Sequence, residues 1–294
     1  MKRLTAALGF VGVFLVNAPM LLAQWPSFPA QGVPRTAAGQ PDLAARTPRT
    51  ADGKPDLSGV WDNGRNTNVP QRGARGADLN TAPSATSGAG RGAAGVGLPS
   101  ATFFNVGAGF SEGLPFQPWA AELVRKRMAD NGKDNPDAHC LPMGFMQFHT
   151  HSQPRKIIQT ADVIIILYEA NSGLRQIFMD GRSLPGKNAE PWWYGYSVGK
   201  WEGDTLVVET TGFIDDIWMD VRGSPLTSAG KVIERFRRVN YGNLEIEITV
   251  DDPKAYTRPW TVKVNQRIFP DTELIEFICE ERDATHYVGA QPKP

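Results

Sequence analysis

A chain of 294 residues carries 31 basic and 31 acidic side chains and so no net charge, which leaves no electrostatic footprint for nucleic acid or an anionic membrane surface. Hydrophobic residues make up 41% of it, and its length suits one large β domain or two small ones. After the N-terminal apolar run, nothing is long and apolar enough to span a bilayer as a helix.

In chain order, Lys2 and Arg3 precede an apolar run from Leu4 to Leu22, broken by Asn17 and Pro19, and "LLAQ" offers cleavage after Ala23. Residues 1–23 therefore read as a signal peptide, with Leu21 larger than the small residue usual at its position. No cysteine follows to take a lipid anchor, so the expected address is periplasmic or extracellular. In that oxidising compartment, Cys140 and Cys279 read as one disulfide closing a long loop; two buried free thiols are the alternative. Residues 24–56 form a Pro-rich arm in which "PRTAAGQPDL" (34–43) recurs as "PRTADGKPDL" (48–57). Two copies are too few for a solenoid and predict an extended arm along the domain surface. The stretch 63–100 is low-complexity, too poor in apolar side chains to offset the entropy of ordering, and reads as a flexible insertion. A helix is predicted near 117–131: Pro118 suits its first position, Glu122 can pair with Lys126, and Gly132 can take the left-handed cap. Arg127 interrupts its apolar arc (Ala120, Leu123, Val124, Met128), which places it on a surface.

The barrel domain is expected over 57–286, with 287–294 a tail. Its first strand is Gly59-Val60-Trp61, and further β segments are 155–160, 162–170, 173–180, 194–202, 204–213, 231–239, 243–250, 258–269 and 272–281. The run 162–170 is apolar enough to be buried on both faces. Short turns such as Glu202-Gly203-Asp204 join most of them, which predicts an antiparallel meander. A meander of ten segments hides its edges most simply by closing, so the predicted fold is a mainly β, antiparallel up-and-down barrel with one peripheral helix and a long irregular arm.

Two resemblances follow. "GVW" at 59–61 resembles the Gly-x-Trp of the first strand in lipocalins and related calycin barrels, which implies a Trp packed across the closed end of the barrel. "DGKPDLSGVW", "GYSVGKWEGDTLVVETTGF" and "PDTELIEFICEE" together resemble a family of uncharacterised exported bacterial proteins. That resemblance covers about residues 50–286; it implies a secreted β domain and brings no catalytic residues.

Candidate chemistry is sparse. In an extended "FHTH", His149 and His151 would point to the same side and could chelate zinc or copper, with His139, His286 or a carboxylate completing the set. The pairs Asp215-Asp216, Asp251-Asp252 and Glu280-Glu281 face opposite ways if extended, and Asp204 lies in a turn, so none is a catalytic pair by itself. Glu209 is ordinary if the Leu206 face of its strand is the packed one, and an interior carboxylate if the other face is. Trp192, Trp193, Tyr194 and Tyr196 follow a Gly/Pro loop and are the candidate ligand contacts. No serine elbow, Walker loop, Rossmann fingerprint or His-Glu-x-x-His occurs in the sequence.

Three readings follow. The first is an exported lipocalin-like barrel binding a small apolar or aromatic molecule, or a sugar, at an aromatic-lined mouth. The second is a secreted enzyme acting on a carbohydrate or related small molecule through His149, His151, Glu209 and Asp204, with or without a metal. The third is an interaction protein whose 24–58 arm docks a protein partner.

Overall fold

The computed structural model describes residues 30–63, 97–186, 188–215, 217–277 and 279. The expected signal peptide and tail and nearly all of the expected 63–100 insertion lie outside the described residues. The chain is a closed barrel. Its strands are β1 (Gly59–Asp62), β2 (Arg155–Gln159), β3 (Val163–Tyr168), β4 (Gly173–Phe178), β5 (Tyr196–Glu202) and β6 (Thr205–Thr211), followed after a short hairpin of β7 (Ile217–Trp218) with β8 (Pro225–Leu226) by β9 (Lys231–Asn240), β10 (Asn243–Asp251) and β11 (Trp260–Ile268). Around the ring the order is β1-β11-β10-β9-β6-β5-β4-β3-β2.

The prediction of a closed β-barrel holds, and the ring is not antiparallel throughout. Nine strands cannot alternate in direction around a closed ring, so one neighbouring pair must run parallel. That pair is β4 with β5, in the register Ile177↔Ser197. Because parallel strands need a connection that returns to the starting end, residues 179–195 serve as the crossover between β4 and β5. The segment 272–277 is not a strand, contrary to expectation. β1 already pairs with β11, so no edge remains for it to join. It is instead a strap held by Lys156 to Glu273 at 2.6 Å, by Ser172 Oγ to the Phe277 carbonyl, and by the Cys140–Cys279 disulfide.

Period-two patterning fixes which face is interior. In β10, Leu244, Ile246, Ile248 and Val250 are buried while Asn243 and Glu247 are exposed. β3 alternates too, with Ile164, Ile166 and Tyr168 buried and Val163, Ile165 and Leu167 half-exposed, so it is not buried on both faces. Trp61 is fully buried; its indole nitrogen donates to the Leu57 carbonyl at 2.9 Å, and the Arg238 guanidinium lies 4.8 Å over its ring.

The surface helix α1 (Pro118–Ala129) forms as expected, with Ala120 and Val124 buried and Met128 exposed. Glu122 pairs with Arg125 rather than with Lys126. The unexpected element is α2 (Phe145–Thr150), six residues all buried. It enters the barrel: Phe148 stacks on Tyr168 of β3 at 4.1 Å and His149 meets Phe236 of β9.

Over its described residues, from 30 on, the arm is looped. Each copy of the repeat folds into the same compact loop. Thr36 N donates to Gln40 O and Gly39 N to Thr36 O in the first, as Thr50 N does to Lys54 O and Gly53 N to Thr50 O in the second. Arg35 donates to the Gly39 carbonyl and pairs with Asp271; Arg49 donates to the Gly53 carbonyl and pairs with Asp204. The arm thus docks on its own barrel through a duplicated clip.

Candidate functional site

The four predicted aromatic contacts divide between two sides of the wall. Ser197 is buried in the barrel, so Tyr196 faces out. Gly195 has φ +65°, and a Cβ there would come within 2.7 Å of both Thr210 and Phe213. This left-handed residue breaks the alternation and turns Tyr194 inward against Phe148 at 5.3 Å. Burial pushes the Tyr194 hydroxyl well above the usual phenol range. Trp193 is half-buried. The four residues therefore do not line a mouth, because the interior beside them is filled by α2.

Outside, the rings continue into a stack. Trp192 lies 4.9 Å from Tyr196 with planes 23° apart, Tyr196 lies 5.0 Å from Phe178 with planes 29° apart, and the Arg182 guanidinium sits 3.9 Å over Phe178. Arg182 also donates to the Tyr196 hydroxyl at 3.1 Å and is held by Asp180, which fixes the order of the layers. Backbone hydrogen bonds from Trp192 N to Gly212 O and from Ile214 N to Trp192 O anchor the far end. Trp192 ends the stack with 41% of its surface exposed.

The candidate chemical residues are separated. Because 145–150 is helical, His149 and His151 do not share a side as they would in an extended strand. His149 is inside the barrel, whereas His151 is half-buried, accepts a hydrogen bond from Gln153 N at its Nδ1 and packs edge-on against Phe103. His139 Nε2 bonds the Lys133 carbonyl at the surface, and His286 lies outside the described residues. Among the described residues no three of His, Cys, Asp and Glu gather where they could hold a metal, so the zinc or copper chelate expected at His149 and His151 has no donor set. Glu209 is on the outer face, paired with Lys231 at 2.6 Å, because Leu206, Val208 and Thr210 point inward. Asp204 is exposed in its turn and holds Arg49. Asp252 is buried, where it caps the turn after β10 by accepting from Thr227 and Ala255, while Asp251 is exposed. Asp216 and Glu280-Glu281 lie outside the described residues.

The interior holds a polar cluster that sequence reasoning missed. Arg175 of β4, Glu234 of β9 and His149 of α2 meet there, each at most 2% exposed. Arg175 Nη1 donates to Glu234 Oε1 at 3.0 Å, and Nη2 donates to Glu234 Oε2 and, at 2.9 Å, to Thr210 Oγ1. Ser197 Oγ accepts from Arg175 Nε at 3.2 Å, and His149 Nε2 lies 2.7 Å from Glu234 Oε1. Burial alone would raise the Glu234 carboxyl, but the charge of Arg175 and the hydrogen bonds from both neighbours reverse this and bring it down to about 2. Burial outweighs the attraction of Glu234 at His149 and lowers it, so the imidazole is neutral and donates from Nε2. The signal for this cluster was present. Glu234 shares its strand face with Val232 and Phe236, and Arg175 shares its face with Ile177.

A surface pocket of about 400 Å3 opens between Leu43 of the arm and Asn265 of β11, away from the aromatic stack. No helix among the described residues is long and apolar enough to cross a membrane. Comparison of the chain with protein-family models, with curated proteins and with solved structures finds no match.

Proposed function

We propose that this is an exported binding protein that takes a small ring-shaped molecule, an aromatic or a sugar, on the outer stack that ends at Trp192. One observation carries the reading: a braced, layered column of guanidinium, phenyl, phenol and indole presents its last ring to solvent. A further ring laid on that indole meets a surface already held in place, so little side-chain entropy is lost on binding. Aromatic stacking supplies about 1–3 kcal/mol per ring in comparable platforms. Export is supported by the leader-like N-terminus and by the disulfide. Of the candidate catalytic residues, His149 is sealed inside the barrel and Glu209 and Asp204 form surface ion pairs.

The test is calorimetric titration with a β-1,4-linked glucose pentasaccharide and with a hydroxycinnamate. Trp192→Ala is expected to weaken whichever binds by about tenfold or more. Trp119→Ala is the control, since Trp119 is comparably exposed but lies on α1. Equal binding by the wild type and Trp192→Ala, or equal loss in both variants, would refute the site.

A further inference from the structure

The pocket at the seam between arm and barrel is closed on one side by the first copy of the repeat. The turn between β9 and β10 holds that copy through Gly242 N to Leu43 O at 2.9 Å and Tyr241 N to Ala45 O at 2.8 Å. The contact leaves no slack, because a Cβ on Gly242 would lie 2.6 Å from the Cβ of Leu43. The two copies differ at their last residue. Leu57, which ends the second, is only 1% exposed, whereas Leu43, which ends the first, is half-buried and lines a pocket of about 400 Å3. That volume falls in the range of small-molecule sites.

The rest of the lining is amide and guanidinium, from Asn240, Asn243, Asn265 and Arg267. Period-two alternation sets Asn265 and Arg267 on the outer face of β11, and Asn243 stands opposite Arg267 in the β10–β11 register. Asn240 is pinned, since its Oδ1 accepts from Gly242 N at 3.1 Å and from Asn243 Nδ2 at 2.7 Å. The two amides are thereby held together, with Asn240 Nδ2 left to donate and Asn243 Oδ1 left to accept.

Arg267 is set apart from its neighbours by charge. The other outward-facing basic side chains of β9 and β11 each meet a carboxylate: Lys231 meets Glu209, Arg235 meets Glu202, and Arg237 and Lys263 share Glu245. Arg267 forms no ion pair among the described residues. Glu245, opposite Asn265, is already shared, Asp42 of the arm accepts from Ala44 N, and Asp62 stands opposite Arg267 on β1 without pairing with it. A guanidinium whose fork is open offers two parallel N–H donors, which a carboxylate matches. Amides both donate and accept, and so do hydroxyls.

We propose that this seam pocket binds a sugar acid, a hydroxylated ring bearing a carboxylate, with the carboxylate on Arg267 and the hydroxyls on Asn240, Asn243 and Asn265. Leu43 takes the C–H face of the ring. The site is separate from the Trp192 column, and the first copy of the repeat serves in it as a wall as well as a clip.

The probe is an α-1,4-linked tetragalacturonate, compared with its fully methyl-esterified form, which keeps the ring hydroxyls and loses the charge. Calorimetric titration of the full chain is expected to show binding of the acid, with the ester weaker by about tenfold or more. Arg267→Gln is expected to lose about tenfold or more of the affinity for the acid, with an unchanged Tm because the side chain has no ion pair to give up. Trp192→Ala is expected to bind the acid as the wild type does. No binding of the acid, equal binding of acid and ester, full affinity in Arg267→Gln, or a loss in Trp192→Ala as large as in Arg267→Gln would each overturn the proposal. The last result would move the sugar to the aromatic column, so the failure of this site and the failure of that one are told apart.

Discussion

Replacing Arg175 with Met separates the interior charges in the most informative way. The guanidinium gives up its bonds to both oxygens of Glu234 and to Ser197 and Thr210. Ser197 Oγ and Thr210 Oγ1 already lie 2.9 Å apart and continue to satisfy each other, so the cost falls on Glu234. Left with His149 as its partner, the buried carboxylate should lower stability by about 3–5 kcal/mol at pH 7.5, read as a fall in the urea midpoint and a Tm lower by roughly 6–20 °C. The sign of the pH response is the sharper test. In the wild type Glu234 is held down to about 2, below its unfolded value, so its contribution is present above about pH 4.5 and is lost as pH falls. In Arg175→Met burial prevails and raises the group, so its penalty eases as pH falls and the carboxyl takes up a proton. The gap between variant and wild type should therefore narrow from pH 7.5 to pH 5. Adding Glu234→Leu should recover most of the loss. A cost under about 1 kcal/mol, a gap that does not change with pH, or a double variant as weak as Arg175→Met would show that the pair is not coupled as described.

Two further outcomes are expected. Because burial lowers His149 in the folded state, its contribution is present above about pH 6.5 and declines as pH falls through that unfolded value; His149→Gln should flatten the urea midpoint between pH 6.5 and 5 while leaving the decline below pH 4.5. The Cys140–Cys279 bridge joins residues 139 apart, so C140S/C279S should cost about 4–5 kcal/mol in guanidinium unfolding, and hydrogen exchange should rise across 272–277; a protected strap would contradict its anchoring by the disulfide.

The wall of the barrel was legible because its strands alternate cleanly and its turns carry Gly, Asp and Asn. "NLEIEITV" shows one apolar face over eight residues. α2 was not legible, since "FMQFHT" is buried on every side and six residues are too few to show a helical period. The strap was misread for the opposite reason. "TELIEFICEE" is rich in strand-forming Ile, Phe and Thr, and the closure of β1 on β11 removes the edge it would have needed. Glu209 could not be assigned because both faces of "DTLVVETTGF" mix apolar and polar residues; the partner strand β9 settles the phase by setting Val208 opposite Glu234. The interior cluster joins residues from β4, α2 and β9 that only closure of the ring brings together.

The parity of the ring reaches beyond topology. An even number of staves would let every neighbour reverse direction, and a two- or three-residue turn would then suffice between β4 and β5. With nine, the mismatch in direction has to be absorbed somewhere, and it is absorbed where seventeen residues, 179–195, climb back from the end of β4 to the start of β5. Both ends of the exposed column, Arg182 and Trp192, belong to that climb. The exposed column is thus a by-product of an odd count, and a descendant that gained or lost one stave could dispense with it entirely.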